Sequence, residues 1–352
     1  MKQVKIARRL LVATVLVVNT AGIGFAVNRA GAEREETVAA AGPAALPRGD
    51  GTVFAPVVEA PGGVKEFRLT ASEIDWEIEP GDVKRAFAFN GIVPGPTIRV
   101  NEGDNLRIIV QNNLPEPLVV HWHGMILPNA QDGVATVTQE AFPPGASYTY
   151  EYPAIAPGTH WYHSHIDGDQ VGKGLYGSLE VVPRIGDHKV DRDYRLFVGD
   201  TNLGLVINGK SFPYTAVMPA KVGEVVRIRI TPTGELSHPF HLHGQPFDLV
   251  AQDGFELATP QTMDTLLVST AQSFDIITKI LVPGKWVFHC HIFSHMHKPG
   301  ATQHAKDGSM QGLVTVLDVH EADSPVPADQ EIPPGGPEPP ALPPTPMMLV
   351  GR

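Results

Sequence analysis

The sequence predicts an all-β protein built from two tandem β-sandwich domains, and three observations carry that prediction. The 352 residues include 35 glycines and 33 prolines, while charged residues make up only 18%. So many turn formers and so few salt-bridging residues suit short strands better than helices. Apolar residues alternate with polar ones at period two in several segments, and no long segment shows the 3.6-residue period of a helix. Motifs in the first half recur in order in the second.

The first 32 residues read as an export leader. Lys2, Lys5, Arg8 and Arg9 make a basic start, Leu10 to Val27 is largely apolar, and Ala30-Gly31-Ala32 offers a small-residue cleavage site. Arg8-Arg9 also fits a twin-arginine signal, and the apolar run is nearly long enough for an uncleaved membrane anchor. The expected location is periplasmic or extracellular. Residues 33–63, rich in Ala, Gly and Pro, are expected to be a flexible linker. From Glu321 onward ten prolines fall in 32 residues, which predicts a Pro-rich disordered tail over 321–352.

Two domains are expected between these ends, at 64–184 and 185–320. Ile74, Trp76 and Ile78 alternate with Asp75, Glu77 and Glu79. Tyr148, Tyr150 and Tyr152 alternate with Thr149 and Glu151, and Val226, Ile228 and Ile230 with Arg227 and Arg229. Such alternation predicts strands with one buried and one wet face, as in an antiparallel sandwich. The repeat aligns Asn90-Gly91 with Asn208-Gly209, His121-Trp-His-Gly124 with His241-Leu-His-Gly244, and His163-Ser-His165 with His289-Cys-His291.

The formal net charge of −11 disfavours nucleic acid as a partner, which would require a basic stripe. Cys290 is the single cysteine, so no intramolecular disulfide framework exists.

Histidines carry the chemistry. Fifteen histidines placed at random would give roughly 0.6 His-x-His pairs, yet five occur: 121/123, 163/165, 241/243, 289/291 and 295/297. On a strand, alternate side chains project from one face, so both imidazoles of a pair reach one metal site. Eight such histidines can surround several ions, and imidazole suits copper. The sulfur of Cys290 points to the opposite face from His289 and His291. There it can meet His295 and His238. Two histidines, a thiolate and a weak axial thioether make a blue-copper electron-transfer site. In the first repeat, Leu118, Ser164 and Asp169 stand opposite His238, Cys290 and His295, so only the second domain offers that site. Alignment of Leu175-Tyr-Gly with Met310-Gln-Gly makes Met310 the axial candidate, with Met296 as rival. The segment from His295 to Met310 is then about nine residues longer than its counterpart in the first repeat.

These motifs resemble those of multicopper oxidases, specifically the two-domain bacterial laccase-like enzymes with the blue copper in domain 2. The resemblance covers both domains but not the ends. It implies cupredoxin-like Greek-key domains and four coppers per chain: one type 1, one type 2 and two type 3. His121 and His241 would bind type 2 copper. His123, His163 and His291 would bind one type 3 ion, and His165, His243 and His289 the other, with the two triads exchangeable. Type 1 would take His238, Cys290, His295 and Met310. Asp132 would be an acid beside the type 2 copper, acting as proton relay or water orienter; otherwise it belongs to an ordinary Asp-Gly turn. The implied reaction couples four one-electron oxidations of a phenolic or metal-ion donor to reduction of O2 to water. The implied assembly is a homotrimer with each trinuclear cluster between subunits. Met296, His297 and His304 form either a solvent loop or a donor-metal site. A copper nitrite reductase and a non-catalytic copper carrier are the competing functions; the reductase would carry its cysteine in domain 1.

Overall fold

A computed structural model describes residues 50–296 and 310–325. The expected leader, residues 33–49 of the expected linker, His297, His304 and residues 326–352 of the tail lie outside the described residues.

The first sandwich contains β1 (Val58–Ala60), β2 (Val64–Glu79), β3 (Asp82–Phe89), β4 (Gly95–Asn101), β5 (Asn105–Asn113), β6 (Val120–His123), β7 (Ser147–Pro153), β8 (Gly158–Ser164) and β9 (Tyr176–Val182). One sheet runs β1-β2-β5-β7 with β3 on β2, and the other runs β4-β9-β8-β6. The second sandwich contains β10 (Arg192–Thr201), β11 (Gly204–Ile207), β12 (Met218–Lys221), β13 (Val225–Pro232), β14 (His238–Leu242), β15 (Phe247–Gln252), β16 (Phe255–Met263), β17 (Thr265–Val268), β18 (Phe274–Lys279), β19 (Gly284–Cys290) and β20 (Val314–His320). Its sheets run β11-β10-β13-β18-β15-β16 and β12-β20-β19-β14-β17. The one α-helix among the described residues is the single turn Gly168–Gly172.

The repeat is visible in the strand pairing. β2 lies parallel to β5 as β10 does to β13, and β4 parallel to β9 as β12 does to β20. Period-two alternation reports which face is buried, not strand direction, so the expected antiparallel sandwich is in fact two mixed ones. Asn90 and Asn208 occupy matching left-handed turns at φ 54 and 50. The side chains of Asn90 and Asn208 accept the backbone N–H groups of Thr70 and Phe197. Asparagine tolerates this conformation because its short amide bonds locally.

Each sandwich has its own apolar core. Phe67, Ile108, Trp122 and Tyr150 lie in the first, and Ile228, Phe240, Phe288 and Cys290 in the second. A third cluster, including Ile78, Trp161, Tyr176 and Phe197, joins the two.

Two expectations need correction. Residues 50–63 are not a free linker: Asp50 is buried and accepts the Arg195 N–H, Ala55 donates to Thr97, and β1 pairs with β2. Single backbone pairings of this kind leave no periodicity to read. Arg227 and Arg229 are not on a wet face either; each is at least 94% buried. Their side of β13 faces the first sandwich. Asp193 takes both Arg229 Nε (2.9 Å) and Arg229 Nη2 (3.0 Å), and Arg227 donates to it at 2.7 Å. Arg195 grips Glu180 of β9 through Nε and Nη2. Burial alone would raise the Glu180 and Asp193 carboxyls, but the surrounding guanidiniums outweigh it and hold both below the usual carboxylate range. Arg229→Met strands these charges. It is expected to cost about 3–5 kcal/mol, measured by urea unfolding, because an uncompensated buried charge loses its partner and gains no water.

Candidate metal centre

In the first sandwich β6 and β8 pair so that His121 lies opposite His163, with Trp122 and Tyr162 turned into the core. His165 follows at the strand end. The four rings form one quartet, with His121 at 5.4–5.5 Å from each of the other three, centroid to centroid. In the second sandwich β14 and β19 pair His241 with His289, and His243 and His291 complete a matching quartet. Among the described residues, no hydrogen bond or ring contact joins the two quartets. His165, His243 and His291 are exposed on the surface.

Backbone carbonyls decide which nitrogen faces inward. Nδ1 of His163 bonds the Ser164 carbonyl at 2.8 Å, and Nδ1 of His289 bonds the Cys290 carbonyl at 2.9 Å. Nδ1 of His121 bonds the Asp132 carbonyl at 2.7 Å, and Nδ1 of His241 bonds the Asp264 carbonyl at 2.9 Å. A nitrogen facing a carbonyl must carry a proton, which leaves Nε2 as the nitrogen that can face a metal in all four rings. Nε2 of His163 then lies 3.4 Å from Nδ1 of His123, and Nε2 of His289 lies 3.0 Å from Nε2 of His243. Burial, reinforced by His121, brings His123 down to about 4, and burial brings His163 down to about 3. These rings are neutral at pH 7, as metal ligands must be. The reactive nitrogens of His121, His123 and His163 fall within 4.8 Å of one another.

Asp132 sits at the end of a 3-10 turn (Asn129–Gln131). Its carbonyl holds His121, and its carboxylate lies 3.4 Å from the same Nδ1. Gly133 has φ 75, and a Cβ there would fall 1.8 Å from the Val120 carbonyl oxygen. Gly133→Ala is therefore expected to cost about 1–3 kcal/mol and to pull the Asp132 carbonyl off His121. Denaturant unfolding and copper content check the two halves of that expectation. Asp264 plays the same part toward His241, with its carboxylate at 3.9 Å. Sequence reasoning missed Asp264 because it lies further from its histidine in the chain than Asp132 does; the shared contact shows only in three dimensions.

On the other face of β19, Cys290 is fully buried. Its Sγ lies 3.7 Å from His238 Nδ1 and 3.6 Å from His295 Nδ1, and the two nitrogens are 3.1 Å apart. An ion held about 2.0 Å from each nitrogen and about 2.3 Å from sulfur would span these separations at bond angles of about 100–120°. Two imidazoles and one thiolate in this arrangement fit copper. Burial pushes the Cys290 thiol up to about 11, so metal uptake must displace its proton. Burial lowers His238 and His295, and the Asp200 carboxylate opposes that shift at both.

His295 and Met296 lie in a 3-10 turn (Phe293–Met296), both buried. The chain returns beside them: Gln311 donates its N–H to the Met296 carbonyl, and Leu313 donates to that of His295. Met310 is thus carried back to the same turn. In the first sandwich Ser164 takes the position of Cys290 opposite β6 and donates to Gln170, while Leu118 is core and Asp169 pairs with Lys173. Leu118, Ser164 and Asp169 therefore make no counterpart of the His238–Cys290–His295 trio.

Comparison with known proteins agrees with this geometry. The multicopper oxidase family matches the chain twice, over residues 70–185 and 187–307. The crystal structure of a blue copper oxidase from Nitrosomonas europaea superposes with a TM-score of 0.66 at 32% identity, covering 72% of this chain and 85% of that one. Dihydrogeodin oxidase of Aspergillus terreus is 44% identical over 142 residues, 39% of this chain and 23% of the relative. A copper resistance protein A homolog of Pseudomonas syringae pv. tomato is 40% identical over 116 residues, 33% of this chain and 19% of the relative. The matches to these two curated relatives span less than a quarter of each one's length.

Proposed function

Since the chain belongs to the multicopper oxidase family, we propose that it is a laccase-like oxidase coupling four one-electron oxidations of a phenolic or metal-ion donor to reduction of O2 to water. The placement of Cys290 carries this reading. Its sulfur belongs to the His238–His295 site while its two neighbours, His289 and His291, belong to a quartet on the other face of the strand. Two peptide bonds therefore link a one-electron site to a many-histidine site.

When bound, copper would supply one-electron transfer at Cys290 and four-electron reduction of O2 at the histidines. The protein's own part is to hold the quartet imidazoles in place, four of them through Nδ1 on a backbone carbonyl, and to keep the Cys290 site dry. Asp132 and Asp264 each stand beside a histidine of one quartet, where a carboxylate can take or give a proton. We assign His121 and His241 to type 2 copper, the other six quartet histidines to the type 3 pair, and His238, Cys290, His295 and Met310 to type 1. Each quartet supplies only half of the cluster, and three of the eight rings are exposed. This supports a closed homotrimer in which the first-sandwich quartet of one copy meets the second-sandwich quartet of the next. The basic, then apolar, character of residues 1–32 supports export.

Similarity to a copper resistance protein favours a metal ion among the donors tested. The test is to load the full chain with copper, count the metal, and follow oxygen uptake with a phenol, with Cu(I) and with nitrite. About four coppers per chain and oxygen uptake with a phenol or Cu(I) are expected. Conversion of nitrite to nitric oxide without oxygen uptake, with about two coppers, would overturn the proposal.

A further inference from the structure

We propose that Asp200 is a positioning residue of the Cys290 copper site: it fixes the metal-facing nitrogen of His238 and biases the ion toward Cu(II), which restricts the chain to readily oxidised donors. The inference rests on the oxidase reading above and concerns which donors that site accepts.

Asp200 lies near the end of β10, and His238 opens β14. Its Oδ1 is 3.0 Å from His238 Nε2. His238 is fully buried, while the Asp200 side chain is 22% exposed. The same oxygen accepts the Leu236 N–H at 3.3 Å. Gly234 leaves room for it, since a Cβ there would fall 2.1 Å from that oxygen. The carboxylate is thus held by a backbone donor and a tight loop, not merely resting on the ring.

An imidazole that donates Nε2–H to a carboxylate has only Nδ1 left for a metal, and Nδ1 is the atom facing Cys290 Sγ. The negative charge also favours the ion with the higher positive charge. Cu(II) gains more from it than Cu(I), so the one-electron reduction becomes less favourable. Partial exposure of Asp200 screens the effect, which keeps it near one order of magnitude. Hydroquinones and Cu(I), which give up an electron easily, then fit the site better than monophenols.

The test is a redox titration of copper-loaded full-length protein against mediators of known potential. Asp200→Asn keeps the shape and the acceptor oxygen but removes the charge. It is expected to keep the blue absorption and to shift the Cu(I)/Cu(II) ratio about tenfold toward Cu(I), a rise of about 59 mV for one electron. The ratio of kcat/KM for a methoxyphenol to that for hydroquinone should rise with it, and Asp200→Glu should return both toward the parent. An intact blue band with an unchanged potential in Asp200→Asn overturns the proposal. A parent protein that binds copper without any blue band sinks the oxidase reading, and this inference with it.

Discussion

Cys290→Ser is expected to abolish the blue absorption and to lower donor oxidation by about a hundredfold or more, while most of the histidine-bound copper stays. A hydroxyl does not become an anionic ligand as a thiol does, so the pair His238–His295 would face an ion with no soft partner. Electrons from the donor would then have no site 3.6–3.7 Å from two imidazoles at which to arrive. The fold should survive. Ser164 holds the equivalent strand position in the first sandwich and is 1% exposed there. It has Gln170 to donate to, whereas a serine at position 290 would have only the His238 and His295 nitrogens, 3.6–3.7 Å from the present sulfur. A stability loss of about 1–3 kcal/mol is therefore expected. Absorption and electron paramagnetic resonance spectra, copper content, oxygen uptake and a thermal melt together separate loss of the site from loss of the fold. Retention of both the blue band and the oxidase rate would show that the sulfur is not a ligand.

Two inactive variants should restore each other. His165→Ala breaks the first quartet, and His243→Ala breaks the second. Both residues are exposed, so neither change disturbs a core. Each variant alone should lose about a hundredfold in rate. If the cluster forms between neighbouring copies, a co-expressed equal mixture contains junctions that join two intact quartets. Random assembly makes about one junction in four of that kind, so about a quarter of the parental rate should return. A cluster closed within one chain predicts no recovery at all. Size-exclusion chromatography of the same samples checks that mixed assemblies formed.

Much of this site was legible in the sequence because its geometry is written at period two. Residues two apart on a strand share a face. That rule was enough to group His121 with His123 and His289 with His291, and to turn Cys290 the other way toward His238 and His295. The repeat identified which sandwich lacks the cysteine site. What stayed hidden depended on contacts between distant strands. Arg227 and Arg229 alternate with apolar residues as surface charges do, and nothing local says that the first sandwich covers that face. Asp200 comes near its histidine only when the sheet holding β10 packs over the one holding β14, and Asp264 only when β17 pairs with β14. The strands' direction was equally silent, since a parallel and an antiparallel neighbour bury the same face.

β19 presents successive residues to two different sites, and that has a consequence for the history of the chain. Shifting it by a single residue would turn the sulfur toward the quartet and the imidazoles toward His238. Substitutions along Gly284–Cys290 can adjust packing one residue at a time. An insertion or deletion there would dismantle both sites at once, with no intermediate in which one still works. Length variation among descendants of this chain is therefore expected outside that strand, which should keep its count of residues even where its letters change.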